Sequence, residues 1–374
     1  MGSTGTGRQD DAGLPAPGPA GAFPEPFGTL RDGTAITAVV LRNRQGISAR
    51  LIGWGATLQA LHLPDRNGRL DDVVLGYRAI ADYVEHPEFF GATIGRYGNR
   101  IARGQFVLDG APVQIPVTDA PNALHGGIHG FDQRVWEIRS LSAPGEPAGV
   151  TFGRVSPAGE EGFPGTLDVC ARYTLEEHAL TLDYVATTDA PTVVNLTNHS
   201  FFNLCGEGSG RDALHHHVTI HADAFTPVDE TMIPTGEIRP VAGTSMDFTS
   251  AVPVVARIRD GGEPQIVKAQ GYDHNYVLRG GVTDAPKPAA RIEDPVSGRV
   301  LEIETTEPGM QFYSGNFLDG TRTGKAGLLY RQGDGLCFET QHFPDAPNHP
   351  DFPSTRLDPG QTFRSRTVWR FTTR

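Results

Sequence analysis

The sequence predicts an all-β protein that folds as one large antiparallel β-sandwich. Three observations predict this class. From about Phe27 onward, apolar and polar side chains alternate with a period of two, and Gly, Pro, Asn and Asp interrupt the alternation at short intervals. A third observation is that no segment alternates amphipathic helices with strands, so a doubly wound parallel sheet is not expected. Helices should therefore be a minority.

The first 26 residues are expected to form a disordered tail. They are rich in Gly, Pro and Ala and carry few large apolar side chains, so ordering them would recover little free energy. They also lack the basic stretch and apolar run of a secretory signal, and no later segment is long and apolar enough to span a membrane. Residues 27–374 are predicted to form a single domain, because no repeat or shift in composition divides them.

Two segments show the strand pattern most clearly. In 167–175 the apolar side chains occupy the odd positions, and the polar run at 176–178 separates this segment from 180–186, which alternates in the same way. This arrangement predicts a hairpin. The alternation at 363–371 predicts a half-buried strand that closes the chain.

Charge and cysteine content restrict the partners. The chain has 44 Asp and Glu residues against 32 Lys and Arg, a formal net charge of −12. This charge would repel a nucleic acid or an anionic membrane surface, so neither is an expected partner. The three cysteines, Cys170, Cys205 and Cys337, are too few and too scattered for a disulfide framework. We therefore predict a cytoplasmic protein that is a monomer or a weak dimer.

No cofactor is expected. The glycines of the opening residues do not follow a strand, so they do not form a dinucleotide-binding fingerprint. The histidines at 215–217 and 221 are the densest imidazole group, and strand alternation would place His215, His217 and His221 on one face. No Cys or carboxylate is spaced to complete a tetrahedral metal site with them. We predict no metal.

Five polar clusters place histidines, carboxylates and arginines among Gly and Asn residues. Taken singly, each is as compatible with a structural ion pair or a turn as with catalysis. In chain order they are GRYGNRIARG at 95–104, LHGGIHGFD at 124–132, NLTNHSFFNL at 195–204, GYDHNY at 271–276 and CFETQHFPDAPN at 337–348.

These five clusters, in this order, resemble the aldose 1-epimerase or galactose mutarotase family. The resemblance covers nearly the whole chain after residue 26 and is highly specific. Further matching segments are GATLQALHLPDRNG at 55–68, VVLGY at 73–77, FTPVDETMIPTGE at 225–237, SGNFLDG at 314–320 and FPSTRLDPG at 352–360.

The resemblance implies a β-supersandwich with an open sugar cleft. It matches Glu339 to the general base of the family and His199 to the general acid. It matches Arg96, His125 and Asp273 to residues that bind the sugar, with His125 near the ring oxygen. Three further positions are expected near the sugar, namely Asn99, Gln341 and His274.

The chemistry explains these residue types independently. Opening the ring of a hemiacetal requires removal of the proton on the C1 hydroxyl and delivery of a proton to the ring oxygen. A glutamate, with an ordinary pKa of about 4.3, is ionised at neutral pH, and a histidine, at about 6.5, can carry the other proton. The expected substrate is therefore a free aldose such as glucose, galactose or a pentose.

Three alternatives stay open at this stage. Asp273 and Glu339 could be the two carboxylates of a glycosidase, although the matched acid position is a histidine. The chain could also be a sugar-binding module that kept the fold without turnover. An epimerase of hexose 6-phosphates would need extra Arg or Lys around the cleft, and no such cluster is apparent. Candidate aromatic platforms for the sugar are Trp54, Trp136, Phe201, Tyr313 and Phe317.

Overall fold

The structure is a computed structural model that describes residues 18–374. The predicted fold class is confirmed, because the regular structure in this part of the chain consists almost entirely of antiparallel strands. The helices are short, as the alternating sequence pattern indicates.

The strands in chain order are as follows. The first fifteen are β1 (Gly21–Thr29), β2 (Ala35–Arg42), β3 (Ser48–Ile52), β4 (Thr57–Pro64), β5 (Leu70–Asp72), β6 (Thr93–Ile94), β7 (Arg100–Ile101), β8 (Gln105–Leu108), β9 (Ala111–Gln114), β10 (Ala123–Leu124), β11 (Glu137–Leu141), β12 (Ala148–Ser156), β13 (Leu167–Leu175), β14 (Ala179–Thr188) and β15 (Thr192–Val193).

The remaining strands are β16 (Thr197–Asn198), β17 (Phe201–Phe202), β18 (His217–Ile220), β19 (Ala222–Phe225), β20 (Arg239–Pro240), β21 (Val252–Pro253), β22 (Asp273–Leu278), β23 (Lys287–Glu293), β24 (Arg299–Thr305), β25 (Gly309–Tyr313), β26 (Asp319–Thr323), β27 (Leu329–Arg331), β28 (Leu336–Gln341), β29 (Arg356–Leu357) and β30 (Phe363–Thr373). The α-helices are α1 (Ile80–Glu85) and α2 (Pro264–Ala269). Single 3₁₀ turns span Ala102–Gly104, Phe131–Gln133, Glu160–Gly162, Glu207–Ser209, Val254–Ala256 and Ala346–Asn348.

Three larger sheets organise the molecule. A five-stranded sheet runs in the order β1-β2-β3-β4-β5, and a nine-stranded sheet in the order β11-β12-β13-β14-β30-β24-β23-β18-β21. A six-stranded sheet has the order β17-β28-β25-β22-β19-β20. The predicted hairpin is confirmed as β13 and β14, and the predicted closing strand is confirmed as β30, which pairs with β14 and β24.

One main hydrophobic core joins the three sheets. It takes Leu41 from the five-stranded sheet, Leu182 from the nine-stranded sheet and Phe338 from the six-stranded sheet. The hydroxyls of Thr340 and Thr367 lie 2.6 Å apart and connect the six-stranded and nine-stranded sheets directly. This layering leaves the other face of the six-stranded sheet to carry polar side chains.

The predicted tail is too long. Residues 21–26 belong to β1 and pair with residues 37–42 of β2. Main-chain hydrogen bonding to β2 orders this segment as the edge strand of the five-stranded sheet although its sequence is poor in large apolar side chains, and the Arg42 guanidinium lies over the Phe23 ring. Residues 1–17 of the predicted tail lie outside the described residues.

Within residues 18–374, none of the helices has the length and apolar character needed to cross a membrane. The thiols of Cys170, Cys205 and Cys337 are unpaired.

Candidate functional site

A cavity of about 250 Å³ lies over one face of the six-stranded sheet. Three adjacent strands of that sheet, β22, β25 and β28, form its floor. Gln311 of β25 is the cross-strand partner of Glu339 on β28, and residues in register point to the same face of an antiparallel sheet. The alternation of β22 and β28 brings Asp273 and Glu339 to this face.

Irregular segments form the walls. They include the loop after α1, the segment around β7, the 119–125 segment before and through β10, and the short link between β16 and β17. The residues that line the cavity are Glu88, Phe89, Asn99, Arg100, Asp119, Leu124, His125, His199, Phe201, Asp273, Tyr313, Phe317, Leu318 and Glu339. Five of the eight site positions predicted from the sequence are therefore brought together: Glu339, His199, His125, Asp273 and Asn99.

His199 and Glu339 are direct neighbours in this cavity. The Nε2 atom of His199 lies 3.6 Å from Oε1 of Glu339, and both side chains are buried. The other carboxylate oxygen, Oε2, has no hydrogen-bond partner among the described residues. On the far side of the imidazole, Nδ1 lies 3.6 Å from the Sγ of Cys337.

Burial opposes charge on both members of this pair. It raises the pKa of Glu339 well above its ordinary value, and Asp273 adds to this effect whereas Arg100 opposes it. It lowers the pKa of His199 to about 4. Burial therefore favours the uncharged form of each group, a protonated carboxyl and a neutral imidazole, so that the pair carries a single exchangeable proton.

His125 is a hydrogen-bond donor to the cavity. The backbone N–H of Asn99 donates to its Nδ1 at 3.2 Å, and its own N–H donates to the Asn99 carbonyl at 3.0 Å. Burial lowers the pKa of His125 well below its ordinary value, with His199 and Arg100 adding to the effect, so the ring is neutral. A neutral imidazole that accepts at Nδ1 carries its proton on Nε2.

Asp273 is held by two neighbours. Its Oδ1 accepts a hydrogen bond of 2.7 Å from the Gln311 amide, and its Oδ2 lies 3.6 Å from a guanidinium nitrogen of Arg100. The Nε of Arg100 donates to Asp119 at 2.7 Å, so this guanidinium lies between two carboxylates. Burial raises the pKa of Asp273, and Arg100 opposes the rise.

The prediction that Arg96 contacts the sugar is wrong. Arg96 is buried away from the cavity, where its guanidinium donates to the backbone carbonyls of Pro164, Gly165 and Ser156 and lies over the Phe163 ring. Its two terminal nitrogens donate to these carbonyls, which holds the guanidinium outside the cavity. Arg100, four residues later, is the arginine of the cavity.

Two further expectations fail for a similar reason. Gln341 is fully buried and does not line the cavity, and its amide lies 3.4 Å from the side-chain oxygens of Asn275 and Gln311. His274 follows Asp273 on β22, so strand alternation points it to the opposite face, against Phe225. Sequence reasoning missed Arg100, Asp119 and Gln311, although Arg100 lies inside one of the five clusters.

Of the five candidate aromatic platforms, some line the cavity and others do not. Phe201, Tyr313 and Phe317 line the cavity, and Phe317 is 56% exposed at its mouth. Trp136 is buried in the main core, with its indole N–H bound to the Phe131 carbonyl. Trp54 does not line the cavity.

Two buried groups of residues within 18–374 have the spacing of metal ligands. They are His125 with His199 and Glu339, and Cys205 with His216 and Asp294. In both groups a backbone N–H donates to one ring nitrogen, from Asn99 to His125 and from Leu204 to His216. The remaining nitrogen must then carry a proton, which blocks metal ligation. No member of the 215–221 histidine cluster other than His216 belongs to either group.

A buried imidazole and a buried carboxyl group in contact on the face of a large β-sandwich, surrounded by hydrogen-bonding side chains in one cavity, are groups that can exchange protons with a polar ligand. The comparisons with known proteins identify the family. The aldose 1-epimerase family model matches residues 37–370. Galactose mutarotase from Rattus norvegicus is 46% identical over 346 residues, covering 92% of this chain and 97% of the relative.

More distant relatives agree. Aldose 1-epimerase from Escherichia coli strain K12 is 38% identical over 343 residues, 91% of this chain and 96% of the relative. The crystal structure of galactose 1-epimerase from Lactobacillus acidophilus matches with a TM-score of 0.83 and 29% identity, covering 95% of this chain and 99% of that one. A GalM/aldose epimerase homologue from C. elegans matches with a TM-score of 0.81 and 32% identity, covering 90% and 98%.

The chain belongs to the aldose 1-epimerase family, as its sequence clusters predict. It is an isomerase that interconverts the anomers of aldoses.

Proposed function

We propose that Glu339 is the general base and His199 the general acid of this anomer interconversion, acting on a free aldose without a cofactor. One observation carries the proposal, namely the buried contact of 3.6 Å between the two side chains. An acid and a base at this separation can reach the C1 hydroxyl and the ring oxygen of one hemiacetal, which are bonded to the same carbon.

The steps balance without any further reactant. Glu339 removes the proton of the C1 hydroxyl while His199 donates a proton to the ring oxygen, and the bond between C1 and that oxygen breaks. The product is the open-chain aldehyde with a free C5 hydroxyl. After rotation about the C1–C2 bond, His199 takes the C5 hydroxyl proton, the ring closes on the other carbonyl face, and Glu339 returns its proton to the new C1 hydroxyl.

The bound sugar supplies a hydrogen-bond donor that the Glu339 carboxyl lacks in the empty cavity. Oε2 of Glu339 has no partner among the described residues, so the C1 hydroxyl can donate to it and favour the ionised carboxylate. The single proton of the pair then moves to His199, which is the charge distribution that ring opening requires. Sugar binding thus converts the neutral pair into the ionised Glu339 carboxylate and the protonated His199 imidazole.

The remaining cavity residues orient the sugar. The Nε2–H of His125 donates to the ring oxygen and stabilises the charge that develops there. Asp273 accepts hydrogen bonds from sugar hydroxyls while Arg100 balances its charge. Asn99 fixes the tautomer of His125. Among possible aldoses we propose galactose first, because several relatives are named galactose mutarotase.

Polarimetry tests the proposal. The rotation of freshly dissolved α-galactose, α-glucose and α-xylose is followed with the wild type, Glu339→Gln and His199→Asn, and the buffer rate is subtracted. We expect each variant to lose roughly 100- to 10,000-fold in kcat. Matched controls are Glu177→Gln and His178→Asn, the same substitutions at exposed positions, which should leave the rate unchanged.

Three results would contradict the proposal. If the wild type binds these sugars but leaves their rotation at the buffer rate, the chain is a sugar-binding module. If it releases nitrophenol from a nitrophenyl glycoside, Asp273 and Glu339 act as a glycosidase pair. A loss of activity in only one of the two variants would assign the reaction to a single group.

A further inference from the structure

Phe89 has a backbone conformation that bulky residues avoid. Its φ of +60° lies in the left-handed region, where the β-carbon approaches the following carbonyl oxygen. Ten non-glycine residues in the described part of the chain have a positive φ, and three of them, Phe89, Asn99 and His125, line the cavity. Strain of this kind persists where the surrounding structure enforces it, and it is common at functional sites.

The Phe89 ring contacts both imidazoles of the cavity. It stacks on His199 with 5.6 Å between ring centroids and 30° between planes, and its centroid lies 4.6 Å from that of His125. The two imidazoles themselves are 5.3 Å apart and nearly perpendicular. One phenyl ring therefore limits the rotation of two histidines that must point in different directions.

Backbone hydrogen bonds hold the strained segment against His199. Gly91 donates to the His199 carbonyl at 2.9 Å, and His199 donates to the Ala92 carbonyl at 2.9 Å. Ala92 in turn donates to the Phe89 carbonyl at 3.0 Å. The conformation of Phe89 is therefore tied to the same main chain that carries the histidine.

Few other contacts fix the plane of the His199 imidazole. Its Nδ1 has only the distant thiol of Cys337, and its Nε2 is 3.6 Å from Glu339. Both distances exceed those of strong hydrogen bonds, so they define the ring orientation weakly. Aromatic packing from Phe89 on one side, and from Phe201 at 5.0 Å, supplies the missing restraint.

We propose that Phe89 is a positioning residue whose ring sets the orientation of His199 and His125, and that its left-handed backbone is retained because it places the ring there. This rests on the proposed acid–base role of His199. The backbone strain then lowers the stability of the folded protein but supports catalysis. Its removal together with the ring should keep or raise stability and lower activity.

The first test compares two strain-relieving substitutions. Phe89→Gly removes the strain and the ring, and Met232→Gly removes the strain of a residue with a φ of +66° that does not line the cavity. We expect both variants to keep or raise the melting temperature. We expect kcat to fall roughly 10- to 100-fold in Phe89→Gly, with little change in KM, and to stay at the wild-type value in Met232→Gly.

The second test keeps the backbone and changes the ring. Phe89→Tyr retains an aromatic plane and should keep wild-type kcat, whereas Phe89→Leu retains the apolar volume without the plane and should lose activity. The imidazole Cε1–H resonances of His199 and His125 should be broader in Phe89→Leu than in Phe89→Tyr, because without the aromatic plane the histidine rings sample more than one orientation.

The outcomes decide between the two proposals. A wild type that fails to accelerate mutarotation refutes the acid–base function, and the linewidths of the histidine resonances still test the positioning role. Unchanged linewidths or full kcat in Phe89→Leu would overturn the role of Phe89. So would a Phe89→Gly variant that unfolds or loses far more stability than Met232→Gly, because the residue would then be structural.

Discussion

At the residue scale, Arg96 and Arg100 lie four positions apart and serve different purposes. We expect Arg100→Met to raise KM roughly 10- to 100-fold, because Arg100 lines the cavity and a hydrogen bond from its guanidinium to a sugar hydroxyl would contribute about 1.5–3 kcal/mol. We expect Arg96→Met to leave KM unchanged and to lower the free energy of unfolding by about 2 kcal/mol or more, since it leaves buried carbonyls without donors.

Polarimetry gives KM for these two variants and urea unfolding gives their stability, measured on the same preparations. An Arg96→Met variant with wild-type stability and a raised KM would show that Arg96, rather than Arg100, faces the sugar.

The sequence could not distinguish these two arginines. Both lie in the cluster at 95–104, and an αL residue at Asn99 redirects the chain between them, so side-chain direction does not follow a regular period there. Gln311 was missed for a different reason. It lies opposite Glu339 only because of the register of β25 with β28, which no local pattern specifies.

Glu339 should make the stability of the protein depend on pH. A glutamate in the unfolded chain has a pKa of about 4.3. Burial raises the pKa of Glu339 in the folded protein well above that value, so its carboxyl stays protonated to a higher pH. The contribution of Glu339 to the free energy of unfolding is therefore fully present below about pH 4.3 and is lost as the pH rises toward the pKa of the folded carboxyl. We therefore expect Glu339→Gln to be more stable than the wild type at neutral pH, by up to about 1.4 kcal/mol per pH unit above the unfolded pKa.

Urea unfolding across a pH series measures this difference. The gain should disappear near pH 4, and the exposed substitution Glu177→Gln should show none of it. His199 has the opposite sign, because its lowered pKa makes the folded state lose stability as the pH falls from about 6.5 toward 4. A Glu339→Gln variant that is less stable than the wild type at every pH would contradict the raised pKa.

At the scale of elements, the segment that carries His125 approaches its neighbour too closely for a side chain. A β-carbon on Gly126 would lie 2.1 Å from the Gly95 carbonyl oxygen, and its φ is +89°. Gly110 has a similar φ of +80° in a hairpin turn with open space around it. We expect Gly126→Ala to lower kcat roughly 100-fold and to reduce the melting temperature, because the adjacent His125 must move.

Gly110→Ala is the matched control, since it adds the same methyl group at a similar φ without a clash. It should lose some stability from backbone strain and keep wild-type kcat. Equal effects of the two substitutions on kcat would show that the close contact at Gly126 does not position His125.

The predictability of each element follows from its length. Strands such as β13, β14 and β30 span enough residues for a period of two to appear, so the sequence predicts them. The walls of the cavity are built from two-residue strands and turns, among them β7, β10 and β16, which are too short for any period. Their conformation is set by contacts with distant segments, so the sequence identified their residues through family resemblance alone.

At the scale of the whole molecule, the cavity carries an excess of acidic side chains, and the chain as a whole has a net charge of the same sign, −12. Four carboxyl groups line the cavity, from Glu88, Asp119, Asp273 and Glu339, and Arg100 is the one arginine or lysine among the lining residues of the described chain. Glu88 is neutralised by Arg322 at 2.6 Å, but Asp119 and Asp273 share a single guanidinium. The site therefore has no surplus positive charge for an anionic substrate.

This charge balance predicts selectivity against anionic sugars. One uncompensated unit charge at about 8 Å costs about 2 kcal/mol at an effective dielectric constant of about 20, or a factor of roughly 30 in binding. We expect glucose 6-phosphate and glucuronate to show a KM higher than that of glucose by about this factor. Added salt should reduce the difference by screening the repulsion, and it should leave the KM for glucose unchanged. A KM for glucose 6-phosphate at or below that of glucose would instead make a hexose 6-phosphate the better substrate, because an unrecognised basic group would then have to offset the repulsion from Asp119 and Asp273.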